Sequence, residues 1–205
     1  MSSLRRAAPP IVPALGALAL VLSAAATAPA RAQVPWHFGG VSFPAAIDTF
    51  VSQATYRWTD APALGVSLTY VIPGSEQCEL TVYIYPVRAE DSLALRGDAS
   101  AERDSALNEV RSYAIQYRQL DEFRVDTTDA VTVSLPGGGA QRGAYAQLFF
   151  RLGARRLRSM LYVFVSGDHY VKFRMSFDMD VALVLAPHLT SFMGGALASI
   201  RSEQP

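Results

Sequence analysis

The chain holds one cysteine, Cys78, one lysine, Lys172, and one asparagine, Asn108, in 205 residues. Each scarcity excludes something. A single thiol cannot close an intramolecular disulfide, so the fold has to be held by its core rather than by covalent staples. Cys78 also lies far from the cleavage point at which a lipoprotein signal carries its cysteine, which excludes a lipid anchor. Glu109 and Val110 follow Asn108, so there is no glycosylation sequon. Basic and acidic side chains balance at 18 each. A chain without a basic excess lacks the footprint that a nucleic-acid backbone demands.

What is present begins with an address. Arg5 and Arg6 precede an uncharged apolar stretch from Ile11 to Ala28, and small residues then run to Ala30-Arg31-Ala32. These are the three zones of a secretory signal, with cleavage expected after Ala32 because the peptidase pocket admits only small side chains. A retained membrane anchor is the competing reading. Pro13, Gly16 and the alanine-rich texture leave the stretch short of the ~20 strongly apolar residues that a span needs. Removing 1–32 takes away three arginines and no acids, leaving 173 residues with a net charge of −3. The expected protein is therefore exported, periplasmic or extracellular, with no stable membrane span after cleavage and one domain over 43–201. Residues 33–42 read as a tail or lead-in.

Along that domain the apolar period changes twice. Leu64, Val66, Leu68, Tyr70 and Ile72 alternate, Pro73-Gly74-Ser75 breaks the run, and Leu80, Val82 and Ile84 alternate again. Two period-two runs around a turn predict a hairpin. From Ser100 the spacing becomes helical: Ala106, Leu107, Val110, Ala114 and Tyr117 form one stripe, with Asp98 or Ser100 as its cap. Strands are expected at 125–135, 142–152, 156–165 and 169–178, separated by Gly-rich turns too short for parallel crossovers. A closing helix is expected near 187–201, with Pro187 in its first turn and Leu189, Phe192, Met193, Leu197 and Ile200 facing inward. The fold class is α+β: a meandering antiparallel sheet flanked by helices.

Gly65-Val-Ser-Leu-Thr-Tyr70, Leu80-Thr-Val-Tyr-Ile-Tyr-Pro86 and Tyr170-Val-Lys-Phe-Arg174 carry a further reading. In this order and texture the chain resembles the α/β/α sandwich of the PsbP extrinsic proteins and the Mog family of Ran-binding proteins, as in small exported bacterial proteins of unassigned function. The likeness runs over roughly 41–201. It implies a non-enzymatic module that binds or assembles something, and a layout alone does not name the partner.

The residue types of catalysis are present without their spacing. His37, His169 and His188 form no ligand pair. Ser166-Gly167-Asp168-His169 is the composition of a hairpin turn, where neighbours cannot adopt the geometry of a proton relay. Gly137-Gly138-Gly139 precedes a strand, whereas a phosphate cradle precedes a helix. The pairs Asp126/Asp129 and Asp178/Asp180 read as solvated and as a segment start, and Cys78 as a buried thiol. No catalytic residue, metal or cofactor is expected.

One surface attracts a functional reading. On the last hairpin, alternation groups Arg156, Arg158 and Tyr162 on one strand, and Tyr170, Lys172 and Arg174 on the next. If the six share a face, cations interleave with aromatics, as on an anion- or partner-binding surface. The expected function is an exported, non-enzymatic binding or assembly module for an unknown protein or envelope component, with no nucleic-acid partner. The alternative is a carrier holding a small apolar or amphipathic ligand between sheet and helix. An enzyme whose residues converge only in three dimensions is the third reading.

Overall fold

The computed structural model describes residues 36–38, 41–87, 98–117, 122–179 and 182–202. Residues 1–35, on which the expected export signal and its cleavage point fall, Asp180 and the side chains of His37, Ala114 and Tyr117 lie outside the described residues. Two short strands, β1 (Trp36–Phe38) and β2 (Val41–Phe43), pair with each other ahead of the main sheet. Then follow β3 (Ala46–Ile47), β4 (Phe50–Arg57), β5 (Val66–Ile72) and β6 (Ser75–Pro86). Helix α1 (Ala99–Tyr117) leads to β7 (Glu122–Ser134), β8 (Ala140–Leu152), β9 (Arg155–Ser166) and β10 (His169–Asp178), and α2 (Ala182–Ser202) closes the chain.

The main sheet has eight strands in the order β3-β4-β5-β6-β10-β9-β8-β7, and its described pairings are all antiparallel. The expected α+β class and meander therefore stand. Two features go beyond the expectation. The segment that reads as a lead-in forms β1 and β2, and places Phe38 against the core and Phe43 fully inside it. β3 and β4 extend the sheet beyond the expected hairpin. β4 leaves little trace in the sequence because its second half is exposed from Gln53 to Arg57, so no burial period marks it.

α2 shows why this sequence makes a helix at this place. Leu185, Leu189, Phe192, Met193, Ala196, Leu197 and Ile200 recur at helical spacing and are each at most 5 % exposed. Burying a large side chain of this kind stabilises the fold by roughly 1.5–3 kcal/mol. Phe192 is the centre of that stripe, with the rings of Phe50 and Tyr70 at 4.9 Å and Phe173 at 6.2 Å. Pro187 lies inside the helix, which corrects its expected place in the first turn. The helix begins at Ala182, and an exposed proline costs it one backbone hydrogen bond while the buried stripe holds it in place.

The sheet curls around α2 until strands near both edges reach it. A Cβ on Gly194 would stand 2.7 Å from the Ser134 carbonyl of β7, and one on Gly195 would stand 2.7 Å from Ile47 of β3. Adjacent glycines let both edges approach one helix. α1 lies on the opposite side of the sheet, where Ala106 and Leu107 meet Ala146, Leu148, Leu161, Val163 and Tyr170. Asp98 caps it, accepting from the Ser100 amide at 2.8 Å.

Candidate binding faces

The two helices cover different parts of the sheet. α1 packs over β7, β8 and β9, while α2 fills the concave side, touching β3, β10, β9 and the end of β7 over a core that also takes in β5 and β6. Each side of the sheet therefore keeps a field of half-exposed side chains, and the six candidate residues are distributed between these fields.

They do not share a face. The turn at Gly167-Asp168 has two residues, and it pairs His169 with Ser166, Lys172 with Val163 and Arg174 with Leu161. Directly opposed residues point to the same side of a sheet, and a one-residue change of register reverses every side chain. With this register the even-numbered residues of β9 face away from those of β10. Arg156, Arg158 and Tyr162 lie on the α2 side, and Tyr170, Lys172 and Arg174 on the α1 side. The single continuous surface expected from the sequence is corrected to two separate ones. The signal in the sequence that points to this is the two-residue turn length itself.

On the α1 side the rows across the strands are Tyr56, Ser67, Tyr83 and Lys172, then Ala54, Thr69, Thr81 and Arg174. The Lys172 side chain is only 15 % exposed. Its ammonium sits 5.3 Å over the ring of Tyr83 and 5.0 Å over that of Tyr85, and 3.9 Å from Glu102 of α1. Burial pulls its pKa below the usual 10.5, with Arg174 adding to the fall and Glu102 and Glu109 opposing it. Tyr85 donates its hydroxyl to Glu102, and burial first, then that carboxylate, push the phenol well above its ordinary value. Tyr170 is 4 % exposed and packs under α1, with the ring of Tyr85 at 5.7 Å. This is an anchoring arrangement: it fastens α1 to β6 and β10.

On the α2 side, beyond the end of the apolar core, the field is built from arginine and aromatic side chains. Phe149 of β8, only 4 % exposed, has the guanidinium of Arg124 at 4.8 Å and that of Arg156 at 5.6 Å from its ring centre. Arg158 stands directly opposite Phe149 on β9, and Arg151 directly opposite Arg156. Two rows along, Tyr145 faces Tyr162 with ring centres 4.7 Å apart. Burial raises both phenols; Arg158 draws Tyr145 down in part. The acids at this margin are Glu122, Asp126 and Asp129 of β7, and Asp126 accepts from Arg124 Nε at 2.6 Å.

The remaining chemistry-bearing residues are apart. His169 is edge-on to Phe38 at 6.4 Å, and burial lowers its pKa while Asp168 resists. His188 meets Asp48 at 3.3 Å, and Asp178 pairs with Arg155 at 3.0 Å. Ser166 to His169 is the hairpin turn, and Gly137 to Gly139 form another turn, all three glycines at positive φ. Cys78 is 1 % exposed against Met175 at 3.3 Å, as a buried thiol should be. No group of three metal-binding side chains occurs among the described residues, and none of the described helices is long and apolar enough to cross a membrane.

No family model matches this chain, and no curated protein matches it. Solved structures similar to it include PsbP from the cyanobacterium Synechocystis, at 12 % identity over 76 % of this chain and 83 % of that one, with a TM-score of 0.48. The Ran-binding protein Mog1p of Saccharomyces cerevisiae is similar at 10 % identity over 80 % and 85 %, TM-score 0.36. A Pseudomonas aeruginosa protein of unknown function is similar at 11 % identity over 78 % and 93 %, TM-score 0.37. The first two represent the families that the sequence resembles.

Proposed function

We propose that this chain is an exported, non-enzymatic binding or assembly module of the periplasm or cell exterior, and that it docks its partner on the arginine–aromatic face of β7, β8 and β9. The export reading is supported by Arg5-Arg6, the uncharged stretch after them and Ala30-Arg31-Ala32. The observation that carries the docking face is Phe149 held between Arg124 and Arg156 with Arg158 opposite. Guanidinium groups laid on an aromatic ring keep their hydrogen-bonding edges turned outward while losing little further entropy on binding. Arginine and tyrosine are also the residues in which binding energy concentrates at interfaces. The Lys172 field is the poorer candidate, since its cation is already occupied by Glu102 and two phenol rings.

Affinity capture from the envelope fraction tests this reading. R156A/R158A should lose captured partners and stay folded with a small drop in melting temperature, because a guanidinium stacked on an aromatic ring at an exposed site is worth about 0.5–1 kcal/mol. K172A/R174A should keep the partners. Capture that is indifferent to Arg156 and Arg158 would remove the face from consideration.

A further inference from the structure

We infer that the arginine–aromatic face takes an extended acidic segment of a partner protein, its carboxylates over Arg156 and Arg158 and its apolar side chains over Tyr145 and Tyr162. The inference rests on the binding-module reading and adds the chemistry of the occupant.

The dimensions set the first limit. From Tyr145 to Arg151 is six residues along β8, about 20 Å at strand rise, and from β7 to β9 is about 10 Å at the spacing of neighbouring strands. That footprint accommodates one extended chain of about six residues. A folded domain would require an interface several times larger.

Charge sets the second. Arg124, Arg151, Arg156 and Arg158 gather at one end, bordered by Glu122 and Asp126, on a domain whose expected mature charge is −3. This is a local reversal of sign, complementary to a short run of acids. The acids Glu122, Asp126 and Asp129 run along the β7 margin of the field, which disfavours a continuous polyphosphate backbone there. Guanidinium groups match carboxylates with two parallel hydrogen bonds.

The far end sets the third. Tyr145 and Tyr162 are half-buried, with their hydroxyls turned to Gln147 and Met160. Rings lying in the face offer a stacking floor and do not project as a membrane-inserting residue would. A lipid surface is thus disfavoured, and a segment that changes from acidic to apolar along its length is favoured. Alternate residues of such a segment face the sheet.

The test uses a fluorescein-labelled octapeptide, Ser-Glu-Ser-Glu-Ser-Phe-Ser-Phe, titrated with the mature protein by fluorescence anisotropy. Binding should weaken with salt, fall at least tenfold for R156A/R158A, and be unchanged for K172A/R174A. It should be lost when both glutamates of the peptide are replaced by glutamine. If R156A/R158A does not fold, R156Q/R158Q keeps the side-chain bulk and serves the same comparison. The inference is overturned by a silent peptide, by equal binding of the glutamine version, or by an affinity indifferent to Arg156 and Arg158. Preference for phosphatidylglycerol vesicles over the peptide would overturn it as well. A silent peptide alongside envelope capture that still depends on the two arginines would leave the binding-module reading standing and sink only the acidic segment.

Discussion

Tyr85 of β6 donates its hydroxyl to Glu102 of α1, and the same carboxylate stands 3.9 Å from the Lys172 ammonium of β10. One side chain thus ties the helix to two neighbouring strands. Among the described residues of α1, Ala106 and Leu107 are buried against the sheet. The polar tie adds to that packing in docking α1.

The two halves of that tie should differ in strength. A hydrogen bond to a charged group contributes about 1.5–3 kcal/mol, whereas the Coulombic gain of an ion pair at 3.9 Å between side chains 15 % and 19 % exposed is largely offset by the cost of desolvating both charges. Double-mutant cycles in urea with Y85F, E102Q and K172M should give the larger coupling for Tyr85–Glu102. K172M alone should be close to neutral, since it also removes a poorly solvated charge. Equal couplings would contradict the geometry.

Stability should fall on the alkaline side. Burial pushes Cys78 up to about 11 from 9.0, and raises Tyr70, Tyr85 and Tyr162 above 10.0. Groups that hold their protons more tightly when folded contribute stability that is whole below the unfolded value and lost as pH rises through the folded one. Lys172 runs the other way: its lowered value adds stability as pH rises toward 10.5. One lysine is outnumbered. The urea midpoint should decline from about pH 9 and more steeply above about pH 10, and Y70F, which also removes the bond to the Pro44 carbonyl, should reduce that slope. A midpoint constant to about pH 11 would refute the assignment.

Gly194 and Gly195 should each resist a methyl group. G194A drives a Cβ against the Ser134 carbonyl, and G195A against Ile47. Overpacking of this kind costs typically about 1–3 kcal/mol, more than the helix propensity gained from alanine, about 1 kcal/mol. Thermal melts should show both variants destabilised, G194A the more, because a backbone oxygen yields less than a side-chain methyl. An alanine at either site that stabilised the protein would disprove the close approach.

The proposed export has a direct check. Intact mass of the protein recovered from outside the cytoplasm should correspond to a chain starting at Gln33, after Ala32. A mass that retains residues 1–32 would mean the segment is kept.

Strands β5, β6, β8, β9 and β10 and both helices were legible because each buries a face, and burial imposes a period on the sequence; β7, exposed over much of its length, was legible by the Pro136-Gly137-Gly138-Gly139 turn that ends it. The alternation of Val66, Leu68 and Tyr70 has no counterpart where burial does not impose one: β4 is exposed over its second half, and β3 has two residues, so neither left a pattern. The start of α2 departs from expectation for a related reason, since a proline follows its usual positional preference only where packing does not decide. The candidate face was legible as a list of side chains and illegible as a surface. Which residues alternate is a property of each strand. Which sides of two strands coincide depends on the turn between them.

The amino-acid sequence by itself determined the scarcity of covalent and metal-binding chemistry, the α+β class and the inward stripe of α2, because these follow from local composition and period. Only the tertiary structure decided that β10 pairs with β6, that Gly194 and Gly195 meet both sheet edges, and that Lys172 and Arg158 face opposite ways. Those relations join residues far apart along the chain, and they are set by register and curvature, which no single segment contains.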